Sequence, residues 1–259
     1  MHRLIQKNSC STVLEAHSGI SALIVEKSDY DAIWVSSLTN SASKGLPDTE
    51  LVPLNSRINL VKEIRRVADK PIIVDVDTGG QTRHLPYYVK WFENVGANAL
   101  VIEDKKFPKE NSLDELARHK LEDVDKFCEK IRVAKKAAKE IWIVARIESL
   151  IAKHSMKEAI TRADEYVKAG VDAILIHSKV KVNADEVMEF AQIFRDIHPN
   201  VPLVAIPTNY TLPANHQFNI TIYANQLFRA SVKAMEETAE RIEDKNMKSV
   251  QDVFKMIGQ

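Results

Sequence analysis

Short apolar runs rich in Val and Ile alternate with longer amphipathic segments along the whole chain. The runs fall at Thr12–Ala16, Ala32–Val35, Pro71–Val76, Ala99–Ile102, Ile141–Ala145, Ala173–Ile176, Pro202–Ile206 and Ile220–Ala224. They have strand length and are apolar on both faces, the pattern of parallel strands covered by helices. Between them Leu60, Ile64 and Val67, and later Val124, Phe127, Ile131 and Ala134, recur at helical spacing. Gly96 and Gly170 stand just ahead of the runs at 99 and 173, where a helix would stop. Eight such units within 259 residues predict an α/β fold, a (β/α)8 TIM-type barrel, which needs about 250 residues. An open doubly wound sheet would alternate in the same way, but eight near-equal units favour closure. No Pro/Gly/Ser-rich linker interrupts the rhythm, so residues 1–259 are expected to form a single domain. Within the segment from Asn246 to Ile257, the residues Met247, Val250, Phe254 and Ile257 predict an extra C-terminal helix with one apolar face. That face packs on its own barrel or on another subunit.

Two polar connections are unusually long, Ser36 to Pro53 and Lys105 to Lys120. Long loops in a compact domain are usually functional. Both follow strands, which places them at the barrel mouth, where active sites of this architecture lie.

Composition narrows the function classes. The 36 Lys+Arg balance the 36 Asp+Glu, so no basic excess points to nucleic acid. No apolar stretch approaches the ~18 residues of a membrane span, and the start MHRLIQKNS lacks a signal-peptide core. Cys10 and Cys128 are too few for a disulfide framework and lack metal-ligand spacing. The expectation is a cytoplasmic protein acting on a small molecule, with no nucleic-acid or membrane partner.

The candidate chemistry gathers at strand ends. In Val74-Asp75-Val76-Asp77-Thr78-Gly79-Gly80, strand alternation would put Asp75 and Asp77 on one face, roughly 6.6 Å apart. Paired carboxylates suit a hard cation such as Mg2+, though solvated strand-end acids would look the same. Two adjacent glycines, among only seven in the chain, would allow a ligand close to the backbone. The next strands end in Glu103-Asp104, Arg146-Ile147-Glu148 and His177-Ser178-Lys179. Charged or titratable groups on four successive strand ends suggest a divalent cation and an anionic substrate, with Arg146 clamping a carboxylate or phosphate.

The segment Glu103-Asp104-Lys105-Lys106-Phe107-Pro108-Lys109-Glu110-Asn111-Ser112-Leu113 closely resembles the EDK-x-FPK-x-NSL segment of phosphoenolpyruvate mutases, within the isocitrate lyase superfamily. Matches in family order are Glu15 to Ala22, Trp34 to Leu38, Asp75 to Gly79, Val144 to Glu148 and Ile176 to Lys179, so the resemblance spans about residues 10 to 240. It implies interconversion of phosphoenolpyruvate and phosphonopyruvate, the step that makes the carbon–phosphorus bond of phosphonates. By that resemblance Asp75 would ligate Mg2+ directly, with Asp77, Glu103 and Asp48 reaching it largely through water. Ser37 and Leu38 would offer backbone amides to the pyruvoyl group beside Ser36 and Trp34. Arg146 and His177 would hold the migrating phosphoryl group with Asn111, while Lys109, Ser112 and Leu113 belong to a closing loop. Phe107 and Leu113 would shed water from the site. Asn111 could instead merely cap a segment starting at Ser112.

Two positions depart from the family pattern: Ser37 where many members have Gly, and Gly80-Gln81 in place of Tyr-Gly. The superfamily's carbon–carbon lyases carry a loop cysteine, and none lies between Cys10 and Cys128. The nearest rival activity is phosphonopyruvate hydrolysis, whose loop carries Thr at the position of Asn111. A noncatalytic phosphate-binding barrel is the rival of a different kind. Superfamily members exchange a late helix between subunits, which implies a homodimer or homotetramer.

Overall fold

All eight apolar runs form strands in the computed structural model, which describes residues 1–5, 9–179, 183–208, 210–242 and 247–258. They are β1 Ser11–Glu15, β2 Ala32–Val35, β3 Ile72–Asp75, β4 Ala99–Glu103, β5 Trp142–Ile147, β6 Ala173–Ile176, β7 Leu203–Ala205 and β8 Ile220–Tyr223. Each pairs in parallel with the next, and β8 returns to β1, so the sheet closes into a barrel. Closure resolves the alternative of an open sheet. The register sets Glu103 opposite Arg146 and Asp75 opposite Val101, which brings the charged strand ends to one level.

The strands bury both faces because two cores need them. Val13, Trp34, Ile73, Val101, Val144, Leu175 and Ile222 fill the barrel, closed below by Leu4 of a short helix α1 (His2–Ile5). Their alternates, among them Ile33, Val74, Leu100, Ile143 and Ile174, pack outward against the helices. These are α2 Gly19–Glu26, α3 Ser37–Ala42, α4 Leu54–Arg65, α5 Leu85–Asn94, α6 Val124–Ala137, α7 Met156–Lys168, α8 Asp185–Ile197 and α9 Gln226–Glu240. Local chemistry sets their ends. Asp123 caps α6 by accepting from Asp125 and Lys126 amides, and Ser155 caps α7 by accepting from Glu158. Ala159, Ala163 and Tyr166 then recur along the buried stripe of α7.

The connection after β2 is not all loop. Ser36 accepts from the Thr39 amide and starts α3, so Ser37 and Leu38 occupy its first turn. The connection after β4 stays irregular, pinned at its base by an antiparallel bridge between Lys105 and Leu121. A C-terminal helix, α10 (Val250–Ile257), is present, capped by Ser249; Asn246, at the start of the expected segment, lies outside the described residues. Val250, Val253, Phe254 and Ile257 are exposed, and α9 buries no residue. Among the described residues no helix is long and apolar enough to cross a membrane.

Candidate active site

Asp75 ends β3, but Asp77 is not placed by strand alternation. Its φ of +53° turns the backbone into the left-handed region, and its amide donates to Asp75 Oδ1 at 3.0 Å. Such a conformation costs about 1–3 kcal/mol in a residue other than glycine and persists only where surroundings enforce it. Here they do. Arg57, fully buried on α4, pairs with the Asp77 carboxylate and donates to the Asp75 carbonyl at 2.8 Å. Burial opposes ionisation of Asp77, yet Arg57 and Lys109 hold its carboxyl well below the usual range. Burial raises Asp75 despite the Arg146 guanidinium 3.3 Å from its Oδ2, an oxygen that also accepts from Ser37 Oγ at 3.2 Å.

Gly79 and Gly80 adopt φ of +72° and +64°. A Cβ on Gly79 would lie 3.2 Å from Leu85 Cδ1 and 3.4 Å from Ile102 Cγ2, so barrel packing and the turn require it. Neither glycine lines the cavity, which corrects the expectation of a close ligand approach. Lys130 holds the turn by donating to the Thr78 and Gly80 carbonyls at 2.6 and 3.1 Å.

Glu103 at the end of β4 is 1% exposed, and neither carboxylate oxygen has a hydrogen-bond partner among the described residues. Burial pushes its pKa up to about 8, against the pull of Lys105, Lys109 and Arg146. On β5, Arg146 ion-pairs with Glu148 at 2.5 Å and lies 2.8 Å from His177 Nδ1. Burial, and then the Arg146 charge, lowers the His177 pKa to about 4, so the imidazole is neutral at pH 7. Its Nε2 has no partner among the described residues.

The segment after β4 covers these groups as a closed lid. Lys109, 4% exposed, reaches Asp48 at 2.7 Å and Asp77 at 3.1 Å, and its backbone amide donates to Glu50 at 2.8 Å. Asn111 donates to Asp48 at 2.6 Å and accepts from the Leu113 amide at 2.9 Å. The asparagine thus caps a local turn, and no helix begins at Ser112. Ser112, 3% exposed, contacts Arg146 at 3.0 Å. Phe107 is 54% exposed on the outer side, so it does not shed water from the site as expected. Trp34, Ser36, Ser37, Leu38, Asp48, Asp75, Lys109, Asn111, Ser112, Leu113, Arg146 and His177 line a single tight cavity of about 40 Å³. Asp77 and Glu103 lie outside that lining.

Sequence reasoning missed several residues here. Ile206, Thr208, Ala224 and Asn225 complete the wall after β7 and β8. No motif marks them, although their place just after strands was a usable signal. Arg57 and Glu50 were equally unmarked, because a lone charge in a polar stretch looks solvated.

Among the described residues, no three His, Cys, Asp or Glu side chains are gathered closely enough to hold a metal as they stand. The donor chemistry nevertheless fits a hard cation: Asp75, Asp77 and Asp48 offer carboxylate oxygen, and the buried Glu103 carboxylate has no hydrogen bond among the described residues.

A closed parallel barrel with acids at the ends of β3 and β4, a buried Arg–His pair and a polar segment over them has the layout of an enzyme site at the mouth of a (β/α)8 barrel. The family model for phosphoenolpyruvate phosphomutase matches residues 1–243, and the chain belongs to that family. It is 34% identical to the phosphoenolpyruvate phosphomutase of Tetrahymena pyriformis, covering 100% of this chain and 90% of the relative. The crystal structure of the phosphoenolpyruvate phosphomutase from Streptomyces platensis subsp. rosaceus superposes with TM-score 0.94 at 32% identity, covering 99% of this chain and 93% of that one. A phosphonopyruvate hydrolase in complex with oxalate and Mg2+ superposes with TM-score 0.86, also at 32% identity, covering 96% and 90%.

Proposed function

We propose that the protein interconverts phosphoenolpyruvate and phosphonopyruvate, moving a phosphoryl group between the enol oxygen and the methylene carbon of pyruvate. The reaction breaks one bond to phosphorus and makes another, with no net change in protons or water. Sequence similarity alone does not separate this from hydrolysis, since mutase and hydrolase structures are equally identical to the chain. The observation that carries the proposal is the lid. Its residues Lys109 and Ser112 are buried against the barrel mouth, and Asn111, the residue of the mutase pattern, lines the cavity. A metaphosphate-like species survives only where water is kept out, which a sealed lid achieves.

The chain's own residues have defined tasks in this reading. Ser37 and Leu38 sit in the first turn of α3, whose leading amides have no partner within the helix, and these meet the pyruvoyl oxygens. Arg146 is permanently charged, and its Nη2 can only donate, so His177 receives that hydrogen bond at Nδ1 and keeps its own hydrogen on Nε2. That Nε2–H and the guanidinium hold the phosphoryl oxygens as charge develops. Asp75, Asp77, Glu103 and Asp48 would hold Mg2+, which when bound supplies positive charge for the enolate oxygens. The chain has no cysteine between Cys10 and Cys128, so lyase chemistry through a loop thiol is outside this reading.

The exposed apolar stripe of α10 supports assembly of two or four copies, burying Val250, Val253, Phe254 and Ile257. The test of activity is incubation with phosphonopyruvate with and without Mg2+, following phosphorus by NMR. Phosphoenolpyruvate as the Mg2+-dependent product supports the mutase. Pyruvate and phosphate would instead make the protein a hydrolase, and no turnover would make it a binding barrel.

A further inference from the structure

We propose that Glu148 is a positioning residue that couples closure of the lid to alignment of Arg146 and His177. The proposal rests on the reading above that this pair receives the phosphoryl group. Glu148 is fully buried, and its two oxygens face different parts of the molecule. Oε1 accepts from Arg146 Nε at 2.5 Å and lies 3.0 Å from His177 Nδ1, on the barrel side. Oε2 accepts from Ser112 Oγ at 2.5 Å and lies 2.9 Å from Lys105 Nζ, both in the segment after β4. One carboxylate therefore touches both the lid and the phosphoryl-holding pair.

The donor inventory sets the direction of these bonds. Lys105 and Arg146 can only donate, and both reach Ser112 Oγ, at 2.5 and 3.0 Å. The hydroxyl accepts from them and has one hydrogen to give, which goes to Glu148. Burial works against an ionised Glu148, yet Arg146 and Lys105 hold its carboxyl well below the usual range. When the lid lifts, Arg146 Nη2 loses Ser112 as an acceptor, and Glu148 Oε2 loses the Ser112 hydroxyl, keeping only Lys105 at the pinned base. The guanidinium then keeps its bonds to Glu148 Oε1 and Asp75 but loses the lid-side contact that helps fix Nη2 in the geometry the substrate needs. The barrel side stays fixed. Asp104 accepts from the Glu148 amide at 2.9 Å and is itself held by Tyr166 at 2.7 Å and Arg162 at 3.2 Å, both on α7. The lid therefore comes to Glu148, and Glu148 carries its arrival to Arg146.

Two substitutions test this. Ser112→Ala removes one hydroxyl, and Glu148→Gln keeps the shape but removes the charge. In unliganded protein, amide exchange of residues 105–113 should rise at least about tenfold in both, with strand amides unchanged. Turnover of phosphonopyruvate should fall about 10- to 100-fold, the usual effect of losing a partner that orients a site. The double variant should lose no more than the worse single one, because both changes break one link. Losses that multiply, or wild-type loop exchange in Ser112→Ala, would overturn the proposal. A merely structural Glu148 would lower Tm and leave loop exchange unmoved. Should Glu148→Gln fail to fold, Lys105→Met takes its place in the cycle. A wild-type protein that turns over nothing would defeat the functional reading alone, because the exchange measurement decides the latch without substrate.

Discussion

His177 shows how one side chain ties the site to pH. Its pKa of about 4 lies below the ordinary 6.5, so between these values the unfolded chain binds a proton that the folded chain refuses. Stability is therefore withdrawn as pH falls through 6.5 toward 4, by about 3 kcal/mol in total. Urea unfolding at pH 7 and pH 4.5 should show a smaller loss in His177→Gln than in the parent protein. Equal losses in the two proteins would mean that the folded imidazole carries its proton. Asn111 makes a separate residue-scale prediction. As a turn cap alone, its replacement by alanine would cost about 1 kcal/mol and spare turnover. As a phosphoryl donor its loss should cut mutase turnover roughly a hundredfold, with pyruvate and phosphate rising among the products. Product analysis after Asn111→Ala separates the two. Asp75→Ala should abolish both turnover and Mg2+-dependent thermal stabilisation, and an active variant would remove Asp75 from the metal set.

At the scale of elements, α4 and β3 are joined through charge as well as packing. Arg57 sits among the buried residues of α4 and meets Asp77 and the Asp75 carbonyl from behind the site. Removing one member of a buried pair leaves the other uncompensated, at a cost of about 3–5 kcal/mol. Arg57→Met should therefore be strongly destabilising in denaturant unfolding; a cost below about 1 kcal/mol would show that Lys109 alone suffices for Asp77. The pattern of Leu60 and Ile64 announces α4 from the sequence, since both lie on its buried stripe. Arg57 lies on that stripe too, but as a cation it breaks the apolar repeat, so periodicity assigns it to solvent. The same blindness hid Glu50, which holds the lid through the Lys109 amide.

For the whole molecule, the unresolved account is the apolar stripe on α10. Val250 is 61% exposed and Ile257 52%, on a helix of eight residues capped by Ser249. Light scattering at micromolar concentration should give a dimer or tetramer mass, and Phe254→Glu should lower it. A monomeric parent protein would rule the assembly out.

The sequence by itself determined the barrel. Eight runs apolar on both faces can be satisfied only between an inner and an outer core, and the chain supplies the helices that form the outer one. It also marked the acids, Arg146, His177 and the lid, because strand ends and a long polar connection are local features. Tertiary structure alone decided how they act together. Asp77 takes a left-handed turn because Arg57 and Lys109 arrive from other elements, and its place could not be had from strand alternation. Glu148 was visible as an acid beside Arg146, yet its bonds to Ser112 and Lys105 come from another element of the fold. The physical reason is common to both. Apolar burial repeats with the period of an element and so is written along the chain. A buried charge is satisfied by whichever partner the fold delivers, and no spacing in the sequence records that partner.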